Sequence, residues 1–365
     1  MLDRPREVRV PCRDRKLRGI SKAENICPRG LLKRVIERAD SMGFQASAAF
    51  EYEFFVFDET PHSVREKNYR NLRNITPGYF GYSVLRSSVL AEFYEELLST
   101  CKAMDFPIEG LHTETGPGVL EAALSVDGAL SAADKAALFK TFTKVIAQRA
   151  GWMATFMAKW SPDWPGQSGH IHMSLQDRNG GAVFHDADKP DTMSDAMRHF
   201  IGGQQALMPE LLCMVASTVN AFTRLIPGYW APTEASWGLE NRTCALRTIR
   251  GAPSAQRVEY RIASADTNPY IALSAALASG LWGIEHRIEP DQPIVGNAYE
   301  QSFPAERRLP ATLMEAAGRL RESAAARELF GDDFVEHFAA TREWEEREFR
   351  KAITDWEMQR YFEII

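Results

Sequence analysis

The chain has 365 residues, 45% hydrophobic and 25% charged, the make-up of a globular protein with room for one large or two ordinary domains. A formal net charge of −6 argues against a general nucleic-acid binder, which would carry a basic excess. No apolar leader stands near Met1, and the cysteines (Cys12, Cys27, Cys101, Cys213 and Cys244) are scattered without C-x-x-C spacing, so the expectation is reduced thiols, a cytoplasmic location and no structural zinc.

Residues 1–30 are Arg-rich, contain Pro5, Pro11 and Pro28, and show no periodicity, so they read as a basic N-terminal segment ahead of one domain over 31–365. LLKRVIERADSMGF, from Leu31, has apolar residues at helical spacing and stops near Gly43. SAAFEYEFFVF, 47–57, follows as a strand. Residues 87–104 predict an amphipathic helix, and FPIEGLHTETGPGVLEAALS predicts two strands around a Gly-Pro-Gly turn. A long helix is expected over 131–159, a strand at HIHMSL and a helix over 194–217. NAFTRLIPGYWAPTEASWGLENRT reads as a long functional loop. RVEYRIA is a strand, 269–287 a buried helix too short and too rich in small residues for a membrane span, and 311–364 charged helices. Neither a G-x-G-x-x-G nor a G-K-[ST] loop occurs, which excludes Rossmann and P-loop folds and leaves an α+β domain.

Strand alternation gives three of these segments a polar face. Glu51 and Glu53 share one face of the first strand, opposite Phe50, Tyr52, Phe54 and Val56. Taken alone, that is a solvated face, yet Phe55 and Phe57 share it. HIHMSL puts His170, His172 and Ser174 on one side, and VEYRI puts Glu259 and Arg261 on one side. Glu114 and Glu121, seven apart across the Gly-Pro-Gly turn, could converge as the chain reverses. Together these face sets suggest strands lining one polar cavity. So many carboxylates around few imidazoles select Mg²⁺ or Mn²⁺ over zinc, and Arg224, Arg242, Arg247 and Arg261 suit phosphate or carboxylate recognition.

FEYEFF, HTETGPGVLE, GHIHMSL, NAFTRLIPGYWAP, WGLENRTCALR, VEYR and DTNPYIALSAALASGLWGI, in that order, resemble the catalytic domain of the glutamine synthetase family from Cys27 to the C-terminus, over nine-tenths of the chain. The resemblance implies a curved antiparallel sheet lining the active site and backed by helices. It implies two metal sites, Glu53, Glu114 and Glu121 for one and Glu51, His170 and Glu259 for the other. Glu109, His172, Ser174, Arg242 and Arg247 match ATP contacts, and Gly166, Arg224 and Arg261 match the glutamate site, with Arg224, Arg242 and Arg261 the catalytic cations. The implied reaction is an ATP- and Mg²⁺/Mn²⁺-dependent ligation of glutamate to an amine through a γ-glutamyl phosphate, in a homo-oligomer.

Five departures matter. Trp230 stands where ammonia-using members carry a glutamate, which resembles the branch that ligates polyamines or other organic amines. Pro165 and Ser254 replace an Asn and a Lys, and Arg307 lies near the family's adenylylated Tyr. The N-terminal β-grasp domain of the family has no counterpart here, which bears on ring assembly. Ammonia as the amine, or a non-catalytic scaffold, are the competing readings. Five clustered glutamates that repel one another without cations argue against the scaffold.

Overall fold

A 14-residue strand, β1 (Phe44–Phe57), organises the molecule. It is followed by β2 (Ile108–Thr113), β3 (Val119–Leu124), β4 (Asp127–Gly128), β5 (Met153–Thr155), β6 (Gly169–Asp177), β7 (Trp237–Leu239), β8 (Leu246–Ile249) and β9 (Arg257–Tyr260). The computed structural model describes residues 21–226 and 231–364. Among them these strands form one sheet in the order β2-β3-β1-β6-β9-β8-β7, with β4 and β5 also paired to β1. Every pairing is antiparallel except β7 with β8, so the antiparallel sheet that was expected carries one parallel pair at its edge.

The strand's alternating pattern is what places it. Phe50, Tyr52, Phe54 and Val56 are buried on one face, where Phe139 from the helix Ala129–Arg149 and Phe156 pack against Tyr52 and Phe54. Burial stabilises each such aromatic by about 1.5–3 kcal/mol. On the opposite face Phe55 and Phe57 join Val119 in a separate small apolar cluster edged by Trp160 and Trp164. This explains how two Phe and two Glu share one face: the strand leaves the polar cleft partway along its length and enters that second cluster.

Behind the sheet, the helices Asp195–Val215 and Pro269–His286 lie against each other. A Cβ on Gly203 would fall 2.2 Å from the Ser279 carbonyl oxygen and 2.5 Å from Gly283 Cα, so glycine at both positions sets the approach of the two backbones. The apolar window 268–284 is this buried helix. Among the described residues no helix is long and apolar enough to cross a membrane.

Three expectations change. The long helix over 131–159 starts at Ala129 and ends at Arg149, because Gly151 takes a left-handed φ of +78° and residues 153–155 turn back as β5 against β1. The helix expected from Leu31 begins at Pro28, whose fixed φ suits a first turn, with a short helix Ser21–Ile26 before it. The long loop also holds a helical turn, Val219–Phe222, and β7.

Candidate active site

The register of the sheet decides which polar groups meet. Glu51 of β1 lies directly opposite His170 of β6, and Glu53 opposite Glu121 of β3. His172 faces Glu259 of β9, and Glu259 faces Arg247 of β8. Directly opposed side chains sit about 5 Å apart at Cβ, so five strands bring carboxylates, imidazoles and guanidinium groups onto one surface. Glu114 comes from the turn between β2 and β3, and Arg242 from the loop between β7 and β8.

Glu51, Glu53, Glu109, Glu114, Glu121, His170, His172, Ser174, Arg242, Arg247, Glu259 and Arg261 all line one cleft of about 560 Å³, joined by Ser254 and Arg257. Gly166 and Arg224 lie outside that lining. Arg224 is buried and donates to the backbone carbonyls of Ile262 (3.0 Å) and Arg261 (3.2 Å). Gly166 packs against its stem, where a Cβ would fall 2.6 Å from Arg224 Cγ. Trp230 lies outside the described residues.

The carboxylates have distinct partners. Glu259, almost fully buried, accepts from Arg247 Nη1 at 3.0 Å and from Arg261, and His170 Nδ1 is 3.4 Å from it. Burial alone would raise its carboxyl, but His170, Arg261 and His172 hold it at about 2. Glu51 accepts from His172 Nε2 at 3.0 Å. Burial opposes its ionisation, and the two imidazoles His170 and His172 outweigh burial and keep it ionised well below the usual carboxylate range. Glu121 goes the other way: burial, then its contact with Glu51 and the charges of Glu51, Glu53 and Glu114, push its carboxyl far up. In this pair Glu121 carries the proton and Glu51 the charge. Glu53 accepts from the Ser168 N–H and from its hydroxyl at 2.9 Å.

Among the described residues two groups of ligand atoms converge, each within 4.8 Å: Glu51, His172 and Glu259, and His112, Glu114 and Glu121. Compared with the sets implied by the resemblance, His172 stands in the place of His170 and His112 in the place of Glu53, whose carboxylate is turned to Ser168. His172 is also tied to Arg257, whose Nε–H donates to Nδ1 at 3.2 Å. An arginine can only donate, so a neutral ring there bears its proton on Nε2, toward Glu51.

The cleft fits divalent cations on its donor chemistry. Six glutamates face four arginines, two of which, Arg247 and Arg261, are engaged on the same Glu259. The protonation of Glu121 is what such a cluster does without a cation, and hard oxygen donors with an imidazole suit Mg²⁺ or Mn²⁺.

Sequence reasoning passed over Arg257, His112 and Tyr82. Alternation could have found Arg257, which shares a strand face with Glu259 and Arg261, and His112, two residues from Glu114. Tyr82 sits in a loop with no periodic signal, and it donates to Glu114.

The profile of the family described as "Glutamine synthetase, catalytic domain" matches residues 25–361. A type-1 glutamine synthetase 2 of Dictyostelium discoideum is 44% identical over 93% of the chain, which spans 66% of that protein's length. A glutamate–isopropylamine ligase of a Pseudomonas species is 40% identical over 93% of the chain and 74% of its own length. A gamma-glutamylethanolamide synthetase of Streptomyces coelicolor is 38% identical, with 92% and 71% covered. Among solved structures, ligand-free GmaS superposes with a TM-score of 0.83 at 27% identity, covering 93% of this chain and 77% of that one.

Proposed function

The chain belongs to the glutamine synthetase family, and on that premise we propose that it is an ATP-dependent carbon–nitrogen ligase that joins glutamate to an organic amine. The observation that carries the reading is the convergence of six glutamates, two imidazoles and four arginines in one cleft. In the reaction the γ-carboxylate of glutamate attacks the γ-phosphorus of ATP and ADP leaves. The amine then attacks the acyl carbon of the γ-glutamyl phosphate, phosphate leaves, and the amine gives up a proton. Mg²⁺ or Mn²⁺ held by Glu51, Glu53, Glu114, Glu121, His170 and Glu259, with His112 beside Glu114 and Glu121, would supply charge neutralisation at the phosphoryl oxygens.

The chain's own residues do the remainder. Arg242, Arg247 and Arg261 face the cleft as guanidinium forks suited to phosphate. Glu109, His172 and Ser174 lie on the same surface and are assigned to ATP with Arg242 and Arg247. Arg224, held beneath Arg261 by its bond to that residue's carbonyl, and Gly166 against it are assigned with Arg261 to glutamate. Trp230 supports an organic amine over ammonia, since an indole can wall in an alkyl chain but cannot act as a base for ammonium.

The 44% identity to a glutamine synthetase favours a second reading with ammonia as the amine. One assay separates them: phosphate release with ATP, Mn²⁺, glutamate and either ammonia or a panel of alkylamines and polyamines. The expected result is glutamate-dependent turnover, fastest with an organic amine. Ammonia outperforming every organic amine would sink the preference, and turnover indifferent to glutamate would sink the ligase.

A further inference from the structure

Glu114 is held in a different way from Glu259. Where Glu259 faces guanidinium groups, Glu114 meets neutral donors: the Tyr82 hydroxyl donates to Oε1 at 2.5 Å, and the Thr115 hydroxyl (2.6 Å) and N–H donate to Oε2. Tyr82 is itself tied to the end of β2. Its N–H donates to the Thr113 carbonyl at 2.7 Å, and the next N–H, of Ser83, donates to the Thr113 hydroxyl at 3.0 Å. Its ring stacks on His112 with centroids 4.8 Å apart and planes 26° apart. A ring so engaged is nonetheless 62% exposed and sits at φ +56°, a conformation a bulky residue keeps only where its surroundings impose it. Burial does not explain why the chain holds a tyrosine here in this posture, whereas the two contacts do.

We propose that Tyr82 is a positioning residue for the cation group His112, Glu114 and Glu121, orienting Glu114 through its hydroxyl and His112 through its ring. The proposal rests on the reading of the cleft as a metal site, and adds to it a side chain that lies outside the ligand sets. Tyr82 touches two of the three members of that group. An ionised carboxylate has about four lone-pair positions, so one donor on Oε1 and two on Oε2 leave a position on Oε1 for a cation. Partners that orient ligating carboxylates and imidazoles in this way typically change metal affinity about 10–100-fold.

The test is Mn²⁺ titration of the full chain by calorimetry for wild type, Tyr82→Phe and Tyr82→Ala, with near-ultraviolet circular dichroism confirming that each metal-free protein is folded. Tyr82→Phe keeps the ring on His112 and removes only the hydroxyl. It should weaken one Mn²⁺ step by about 10-fold and leave the other unchanged, and Tyr82→Ala should weaken the same step further. Mn²⁺ affinity in Tyr82→Phe equal to or tighter than wild type would overturn the proposal, the tighter case showing that the phenol competes with the cation. A folded wild type that binds no Mn²⁺ would instead overturn the reading of the cleft itself, and the proposal with it.

Discussion

An alanine at Gly166 would put its Cβ 2.6 Å from Arg224 Cγ and 2.7 Å from the Ala158 carbonyl oxygen. Neither atom can yield easily, because Arg224 is buried and bonded to two carbonyls of the chain after β9. Gly166→Ala should therefore cost about 1–3 kcal/mol, the usual penalty of overpacking, read as a lower urea midpoint. It should also lower glutamate-dependent turnover more than metal binding, because the displaced group is Arg224. Within the cleft, Glu51 accepts from His172 and keeps the charge that Glu121 gives up. Glu51→Gln preserves the shape and removes that charge. Mn²⁺ affinity measured by calorimetry should fall at least about 10-fold, and an unchanged titration would remove Glu51 from the metal set. The alternation of FEYEFF showed that Glu51 and Glu53 point the same way. It could not show that Glu53 turns to Ser168, because that depends on a loop 115 residues away.

Among the elements, the connection after β1 has little regular structure and several left-handed residues, Asn68, Tyr69 and Asn71. A buried Glu59 ties it together, accepting from Lys67 Nζ at 2.5 Å, Ser63 Oγ at 2.6 Å and the Arg73 N–H at 2.9 Å. The hydrogen bond from Lys67, then that from Ser63, hold its carboxyl at about 2 against an ordinary 4.5. A carboxyl depressed on folding adds stability that is fully present above about pH 4.5 and is lost as pH falls through about 2. Glu59→Gln should cost about 1–3 kcal/mol at pH 7 and much less at pH 2 in urea unfolding. A cost that does not shrink in acid would assign the loss to packing. Elements with strong periods were legible: β1, β6, β9 and the buried helix Pro269–His286 all lie where alternation or apolar spacing put them. β7 and β8 were not, because strands of three and four residues carry too few alternations to stand out in a Pro- and Gly-broken stretch. Their parallel pairing depends on a tertiary crossing that local pattern does not encode. The end of the helix at Arg149 was missed because Met153–Thr155 is apolar enough to continue the helical pattern, and only the vacant edge of β1 makes it a strand.

At the scale of the whole molecule, one sheet does two opposed jobs. Its inner face is held by the core that runs from β1 to the helices behind it, and its outer face gathers carboxylates from β1, β2, β3 and β9. Folding brings those carboxylates together, so the metal-free protein carries a repulsion that the unfolded chain does not, relieved in part by the proton on Glu121 and by the guanidinium groups on Glu259. Cations that bind only the assembled cleft should remove that repulsion and stabilise the fold by mass action, about 2.7 kcal/mol at a concentration 100 times Kd. Thermal unfolding should shift upward by a few degrees with Mn²⁺, and further with ATP added to Mn²⁺. The order of addition carries the argument. With metal chelated, ATP would have to place its phosphates beside six glutamates, so ATP alone should give little shift, and EDTA should reverse the gain. If ATP stabilises the chelated protein as well as the Mn²⁺-loaded one, the arginines alone hold the phosphates and the carboxylates have another purpose. If neither ligand shifts the transition of a folded sample, the cleft binds neither, and the sheet's outer face would then hold its clustered acids at a cost to stability with no bound cation to offset it.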